Sequence, residues 1–313
     1  PPNILIGSAL ELSFTDFLFH LTPVVLTIMA AVVGMFVYFW KDSLTTSLKN
    51  RALVMNINEK DAITDFKLLK KALWVLGMVM AAFVVAHDIG FENGFIALAG
   101  AAVMLLLYTM GLPHTQSDEK VEDVLRRVDW TTVFFFVGLF VIVGALDESG
   151  FLKKMGDYFV GVTGGSIKKS VYVILGVSAA ASAVVDNIPF VATMIPTLKA
   201  MEEALGGREA MMPVWWALSL GACLGGNGTL IGASANVIVA GIAAREGHPI
   251  SFLRFLIWSV PVMLLSVAMA GGFLYLEYFI GGGRLAANCA SGQAANRAAG
   301  QAAGRADDRW LAE

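Results

Sequence analysis

The chain has 313 residues, of which 57% are hydrophobic and 15% charged; its net charge is −3 and its mean hydropathy +0.70. A soluble globule carries about 25% charged residues, and the apolar residues here come in long unbroken runs, so a water-soluble fold is excluded. The runs do not alternate, which excludes a β-barrel. The expected class is an all-α polytopic membrane protein.

Pro1-Pro2-Asn3 opens the chain without an initiator Met or a signal peptide, and the chain reads as the later part of a longer protein. Phe17–Trp40 is the first expected span. The next stretch, Lys41–Lys71, holds Lys41, Lys49, Arg51, Lys60, Lys67, Lys70 and Lys71, which predicts a cytoplasmic linker. Ala72–Ala86, expected to extend a turn at each end, Phe95–Met110 and Trp130–Leu146 follow as spans, the first two shorter than the roughly 20 residues of a full crossing. Between them His87–Gly94 carries no Lys or Arg, whereas Leu112–Asp129 carries Lys120, Arg126 and Arg127 and is expected inside. Glu148–Lys169 then lies outside despite Lys153, Lys154, Lys168 and Lys169, a conflict that an interfacial helix over Phe151–Val160 softens. Phe255–Ile280 is the fifth span. The tail Gly281–Glu313 is rich in Ala, Gly, Arg and Gln, lacks apolar periodicity and is expected to be disordered.

Two apolar regions do not fit one span each. Ser170–Ala200 is two short arms around Asp186-Asn187-Ile188-Pro189. Neither arm is long enough to cross, so a re-entrant hairpin is expected. Val214–Ala244 is an arm ending near Leu224, a break at Gly225-Gly226-Asn227-Gly228, and a second arm from Thr229. Glycines at that density disfavour a continuous helix. Irregular backbone at membrane depth is tolerated only where it is buried in protein or lines a polar cavity. Two such segments in one chain point to the substrate site of a transporter.

The chain also repeats itself. Ser13-Phe14-x-x-Phe17-Leu18, four residues, then Pro23-Val24-x-Leu26 returns as Ser251-Phe252-x-x-Phe255-Leu256, four residues, Pro261-Val262-x-Leu264. An Asn-led block precedes each copy, at Asn3 and at Asn236. An odd number of expected crossings separates the copies, which implies inverted repeats around a midplane site. The expected organisation is the end of a first repeat over 1–40, a linker over 41–71, a second repeat over 72–280 and the tail over 281–313. Within the second repeat lie the hairpin 170–200, the broken helix 214–244 and the last helix 253–280. The first repeat is expected to be incomplete.

Asp186-Asn187-Ile188-Pro189, the block Gly225-Gly226-Asn227-Gly228-Thr229-Leu230-Ile231-Gly232-Ala233-Ser234-Ala235-Asn236, and the opening Pro1-Pro2-Asn3-Ile4-Leu5-Ile6-Gly7-Ser8 resemble the ArsB/NhaD permeases of the ion transporter superfamily. That group holds sodium/proton antiporters, arsenite permeases and the melanosomal pink-eyed-dilution protein, and it is related to citrate and dicarboxylate carriers. The resemblance implies inverted repeats, each with a re-entrant hairpin and a broken helix, and ion sites at the hairpin tips. Carried onto this sequence, the ligands are Asp186 and Asn187 at one tip, with Asn227, Thr229, Ser234 and Asn236 at the broken helix. Asn3 is the remnant of the first-half broken helix.

The chemistry of these residues agrees. A carboxylate at membrane depth costs several kcal/mol unless it faces protein, water or an ion. A desolvated carboxylate takes up a proton near neutral pH and releases it to a bound cation, so one acid can alternate between H⁺ and Na⁺. Asp186 is the expected shared site and a tentative Na⁺ ligand. A plainer alternative is that Asp186 or Asn187 caps the second arm, with Pro189 in its first turn. Asn227, Thr229, Ser234 and Asn236 offer neutral oxygens of the kind hard cations prefer, or they hydrogen-bond across close helix contacts. Gly225, Gly226 and Gly228 serve the backbone break, as Pro189 does. Val171–Leu198 and Val214–Ala244 contain no Lys or Arg, which favours a cation or neutral solute over a multivalent anion.

His20 reads as a packed histidine, Cys223 and Cys289 as free thiols, and Asp147 and Glu277 as helix-end acids. No H-E-x-x-H, rhomboid-type serine motif or P-loop is present, so an enzyme is not expected. The expected function is a Na⁺/H⁺ antiporter. Arsenite, another anion or a citrate-like carboxylate is the alternative cargo, and an intramembrane enzyme is a distant third. No cofactor is expected beyond Na⁺ or H⁺ as coupling ion. The expected partners are the lipid bilayer of a bacterial inner membrane and a small ion or anion. Nucleic acid is not among them, and a second copy in a homodimer stays open.

Overall fold

The computed structural model describes residues 2–41, 52, 55, 63, 65–85 and 91–280. Most of the expected linker, part of His87–Gly94, Cys289 and the whole tail Gly281–Glu313 lie outside the described residues. Within them the chain is helical: α1 Pro2–Leu10, α2 Phe14–Trp40, α3 Phe66–Val85, α4 Asn93–Thr109, α5 His114–Arg126, α6 Trp130–Glu148, α7 Phe151–Thr163, α8 Ile167–Ser182, α9 Asn187–Glu202, α10 Arg208–Gly225, α11 Ser234–Arg245 and α12 Phe252–Tyr275, the last continued by a π turn over Leu276–Ile280. Among the described residues α2, α3, α6 and α12 with its π turn are long and apolar enough to cross a bilayer. The protein is an integral membrane protein of helical, polytopic type.

The expected third span, Phe95–Met110, is a 17-residue helix, α4 Asn93–Thr109, and is not among these four. At 1.5 Å per residue it reaches about 26 Å, short of a 30 Å hydrocarbon core. α3 starts at Phe66 instead of Ala72 because Asp65 Oδ1 accepts from the amides of Lys67 and Leu68, both at 2.9 Å, and so anchors an earlier first turn.

The described chain forms two compact units. One contains Ser13–Thr15 and 30–137. There α3 packs on α4, with Val79 against Gly100 and the Lys71 ammonium donating to Leu107 O at 2.7 Å. The polar helix α5 carries two exposed i,i+4 ion pairs, Arg126–Glu122 and Arg127–Asp123. Asp129 starts α6 by accepting from the Thr132 hydroxyl at 2.6 Å and the Thr132 amide at 3.1 Å.

The other unit gathers residues up to Leu12, Asp16–Met29 and everything from Gly138. Its core is Leu152, Ile174, Leu198, Met201, Met211, Trp215, Trp216 and Leu218, all but excluded from solvent. α8 lies along α10 at a separation that only glycine permits. A β-carbon on Gly221 would stand 2.7 Å from Leu175 O and 2.8 Å from Ser178 Cβ. α9 packs on α7 instead, where Gly156 leaves room for Thr197 O. The two arms α8 and α9 are thus held by different neighbours, not chiefly by each other. α1 rests on α9 and α10, and α12 rests on α10 and the turn after it.

The repeat seen in the sequence appears as the same local order twice. A short helix led by an Asn block (α1, α11) precedes a long helix with an internal proline, Pro23 in α2 and Pro261 in α12. His20, only 4% exposed, stacks on the Trp216 ring at 4.8 Å and lies 2.9 Å through Nδ1 from Asp16 O, as a packed histidine does.

Candidate functional site

α8 ends at Ser182, and a turn over 183–186 leads into α9. The amides of Val184 and Val185 both bond back to Ala181 O, which closes the turn tightly. Asp186 is the N-cap of α9: its Oδ1 accepts from the Ile188 amide at 3.3 Å, and the residue is exposed. Pro189 sits in the first turn of α9, where the helix has no use for its missing amide. That is the placement of the capping alternative, and the chain is interrupted between α8 and α9 just before it.

Asn187 turns the other way, into the protein. Its carboxamide contacts the Ser182 hydroxyl and flanks Gly226, where a β-carbon would come within 2.9 Å of it. Ser182 also donates to Ala222 O of α10 at 2.6 Å. The hairpin tip is thereby tied to the end of α10.

After α10 the backbone forms a single 3₁₀ turn, Gly226–Gly228, and then bends through 229–233, with extended dihedrals at its two ends, Thr229 (φ −135°) and Ala233 (φ −147°). The second arm begins at Ser234 and not at Thr229, because side chains take over the groups that a helical ladder would satisfy. The Thr229 hydroxyl donates to Ala183 O in the hairpin turn and accepts from the Gly232 amide at 3.0 Å. Asn236 donates from Nδ2 to Gly226 O at 3.2 Å and to Thr229 O at 3.1 Å. Ser259 of α12 donates to Gly228 O at 2.7 Å. The carbonyls of Gly226, Ser182 and Ala183 converge on Gly232, where a β-carbon would sit 2.8, 3.1 and 3.1 Å from them. Only glycine fits there.

Asn3 comes to the same place from α1. Its Oδ1 accepts from Ser219 at 2.8 Å and from the Cys223 thiol at 3.6 Å, both in the last turns of α10. The structure therefore brings together Asn187, Thr229, Asn236 and Asn3 around the end of α10. It leaves three expected ligands aside: Asn227 and Ser234 are exposed, and Asp186 is exposed with a capping bond. Asn227 is the solvent side of a 3₁₀ turn whose glycines face inward, and Ser234 is the first residue of α11.

Sequence reasoning missed Ser178, Ser182, Ser219 and Ser259, all buried. Ser178 and Ser182 are spaced by four in α8 and share its α10-facing side, a signal that was present in the sequence. Ser178 Oγ is buried without a hydrogen-bond partner.

The assembled site is built from neutral oxygens: hydroxyls, carboxamides and carbonyls freed by the helix break. Among the described residues no three His, Cys, Asp or Glu side chains group as a metal cluster. Such a donor set suits a hard monovalent cation or a hydrogen-bonding solute.

The citrate transporter family model, CitMHS, matches residues 1–221. The chain is 40% identical over 280 residues to an uncharacterized transporter of Mycobacterium tuberculosis, a match covering 90% of this chain and 63% of that protein. It is 33% identical over 294 residues to an uncharacterized transporter of Synechocystis, covering 88% and 63%. It is 37% identical over 241 residues to the P protein of Mus musculus, covering 73% of this chain and 28% of that protein. The chain spans less than two thirds of the length of these relatives. No solved structure matches it. A family match over most of the chain, together with long apolar helices and an interrupted, polar-lined segment, places it in one group: the chain belongs to the citrate transporter family.

Proposed function

We propose that the protein is a secondary active transporter of the bacterial inner membrane that exchanges Na⁺ for H⁺, in the manner of the ArsB/NhaD permeases. The observation that carries this reading is the junction of the α8–α9 tip with the unwound segment after α10. There neutral oxygens converge and no Lys or Arg occurs within Val171–Leu198 or Val214–Ala244. Asn187, Thr229, Asn236 and Asn3 supply or position oxygens for the cation. Asp186, next to Asn187 and exposed in the turn, is the group that exchanges proton for cation. Its Oδ1 is engaged in the cap, and Oδ2 has no hydrogen bond among the described residues. On this reading 1–40 closes a first repeat, 72–280 is the second repeat of inverted orientation, and the hairpin is re-entrant.

An anionic cargo is the second reading. It is favoured by the family model's description and by the N-termini of α9 and α11, whose positive dipole ends bracket the junction. Everted vesicles containing the full-length protein separate the two. Na⁺-dependent dequenching of a pH-sensitive dye that is lost in Asp186→Asn, with membrane insertion intact, supports antiport. Unchanged dequenching in that variant refutes the role of Asp186. Citrate uptake, or protection of cells from arsenite exceeding protection from sodium, supports the anion reading.

A further inference from the structure

Ser182 closes α8 fully buried, and its hydroxyl stands between two oxygens, Asn187 Oδ1 and Ala222 O. A serine hydroxyl has one proton to give. It cannot donate to both, and two oxygens brought together in a buried place without a shared proton repel. Ala222 O is a backbone carbonyl and can only accept, so the proton goes there. The Asn187 contact must then run in the opposite sense. Carboxamide oxygen and nitrogen have nearly the same shape, and the hydrogen-bond network is what tells them apart. With the carboxamide turned over, Asn187 Nδ2 donates to Ser182 Oγ, and Ser182 Oγ donates to Ala222 O. Each of the three groups is then satisfied.

The consequence concerns the atom left over. The other end of the carboxamide has no hydrogen-bond partner among the described residues, and Asn187 is only half-buried beside Gly226. In the satisfied network that free end is oxygen. We propose that Ser182 is a positioning residue that turns Asn187 so that Oδ1, and not the NH₂ group, faces the cargo. The orientation decides the sign of charge the tip accepts. A carboxamide oxygen ligates a hard cation, whereas the NH₂ group donates to an anion. This rests on the cation reading of the site and sharpens it, since one buried hydroxyl sets the preference.

The test uses purified full-length protein and the rise in melting temperature with NaCl, against choline chloride at constant ionic strength, which reads Na⁺ binding without transport. Wild type is stabilised by Na⁺. Ser182→Ala weakens the apparent Na⁺ affinity about tenfold, and Ser182→Thr restores it to within about twofold. In an Asn187→Asp background both ends of the side chain are oxygen, so adding Ser182→Ala changes the affinity less than about twofold. A merely structural role of Ser182 would produce the same loss in both backgrounds, and that result overturns the proposal. Equal Na⁺ affinity of wild type and Ser182→Ala overturns it too, with the cation reading left standing. A wild type that does not respond to Na⁺ overturns both. If Ser182→Ala gives no folded protein, Ser182→Cys carries the same comparison, because its thiol is a weak donor and acceptor.

Discussion

Replacing Gly225 by alanine tests whether the close approach of α8 and α10 organises the site. The new β-carbon would overlap Ala179 O and lie 2.6 Å from Ala179 Cα and 2.8 Å from its carbonyl carbon. Carbon–carbon contacts settle near 3.5 Å, so the two backbones must part by about 0.9 Å. No side chain can swing aside, because every obstructing atom is main chain. The cost falls at the upper end of overpacking, about 3 kcal/mol, which at about 2.1 cal/mol/K of unfolding entropy per residue lowers the melting temperature of a chain this long by about 5 °C. Gly176 in the middle of α8 is the matched control, since nothing lies within 4 Å of a β-carbon there. Gly176→Ala should leave the melting temperature unchanged or raise it, by up to about 1 kcal/mol of helix propensity. Thermal unfolding of both variants in detergent decides the matter. If Gly225→Ala melts with wild type, or both variants fall equally, α8 and α10 are not in contact at that point and the geometry of the site is wrong.

Thr229→Val should cost about 1–3 kcal/mol in the same assay, because Ala183 O loses its donor and the Gly232 amide keeps only its longer 3.4 Å bond to Thr229 O, while Thr229→Ser should cost less than about 1 kcal/mol. Asp186→Ala should lose about 1 kcal/mol through the cap, and Asp186→Asn should keep that stability; a melting temperature equal in Ala and Asn variants refutes the capping role. The Asp129 carboxyl is held below its ordinary 3.8 by the Thr132 hydroxyl and then the Thr132 amide. Its folded value is the lower one, so its support of the α6 start is complete above pH 3.8 and disappears as pH falls through the folded value. Amide exchange at Thr132 and Val133, corrected for intrinsic rate, should therefore accelerate on acidification, and Asp129→Ala should show the fast exchange at neutral pH. Asp65 titrates in the same sense, held low chiefly by the Leu68 amide, and the first turn of α3 should respond likewise.

Much of the fold was legible because the signals are local. Apolar runs set α2, α3, α6 and α12, and the glycine-rich block after Leu224 set the break that follows α10. What misled were local signals whose outcome depends on a distant partner. The break was expected to end at Thr229, but Thr229 is bound to the hairpin turn 46 residues earlier, and the helix resumes only at Ser234. Asp186 stood out as the charged residue, yet it is Asn187 beside it that turns inward to Ser182 and Gly226.

The sequence by itself determined that this is a helical membrane protein, where its helices are interrupted, and that a motif recurs at each end. Those properties follow from hydrophobic length and from backbone chemistry within a few residues. Which polar groups meet was decided only by tertiary structure. Glycines at 221, 225, 226 and 232 let backbones touch, and that contact sets Ser182, Asn187, Thr229 and Asn236 within hydrogen-bonding reach. The physical reason is that a hydrogen bond in a dry interior is worth making only at one separation, and that separation belongs to the packed helices, not to any one of them.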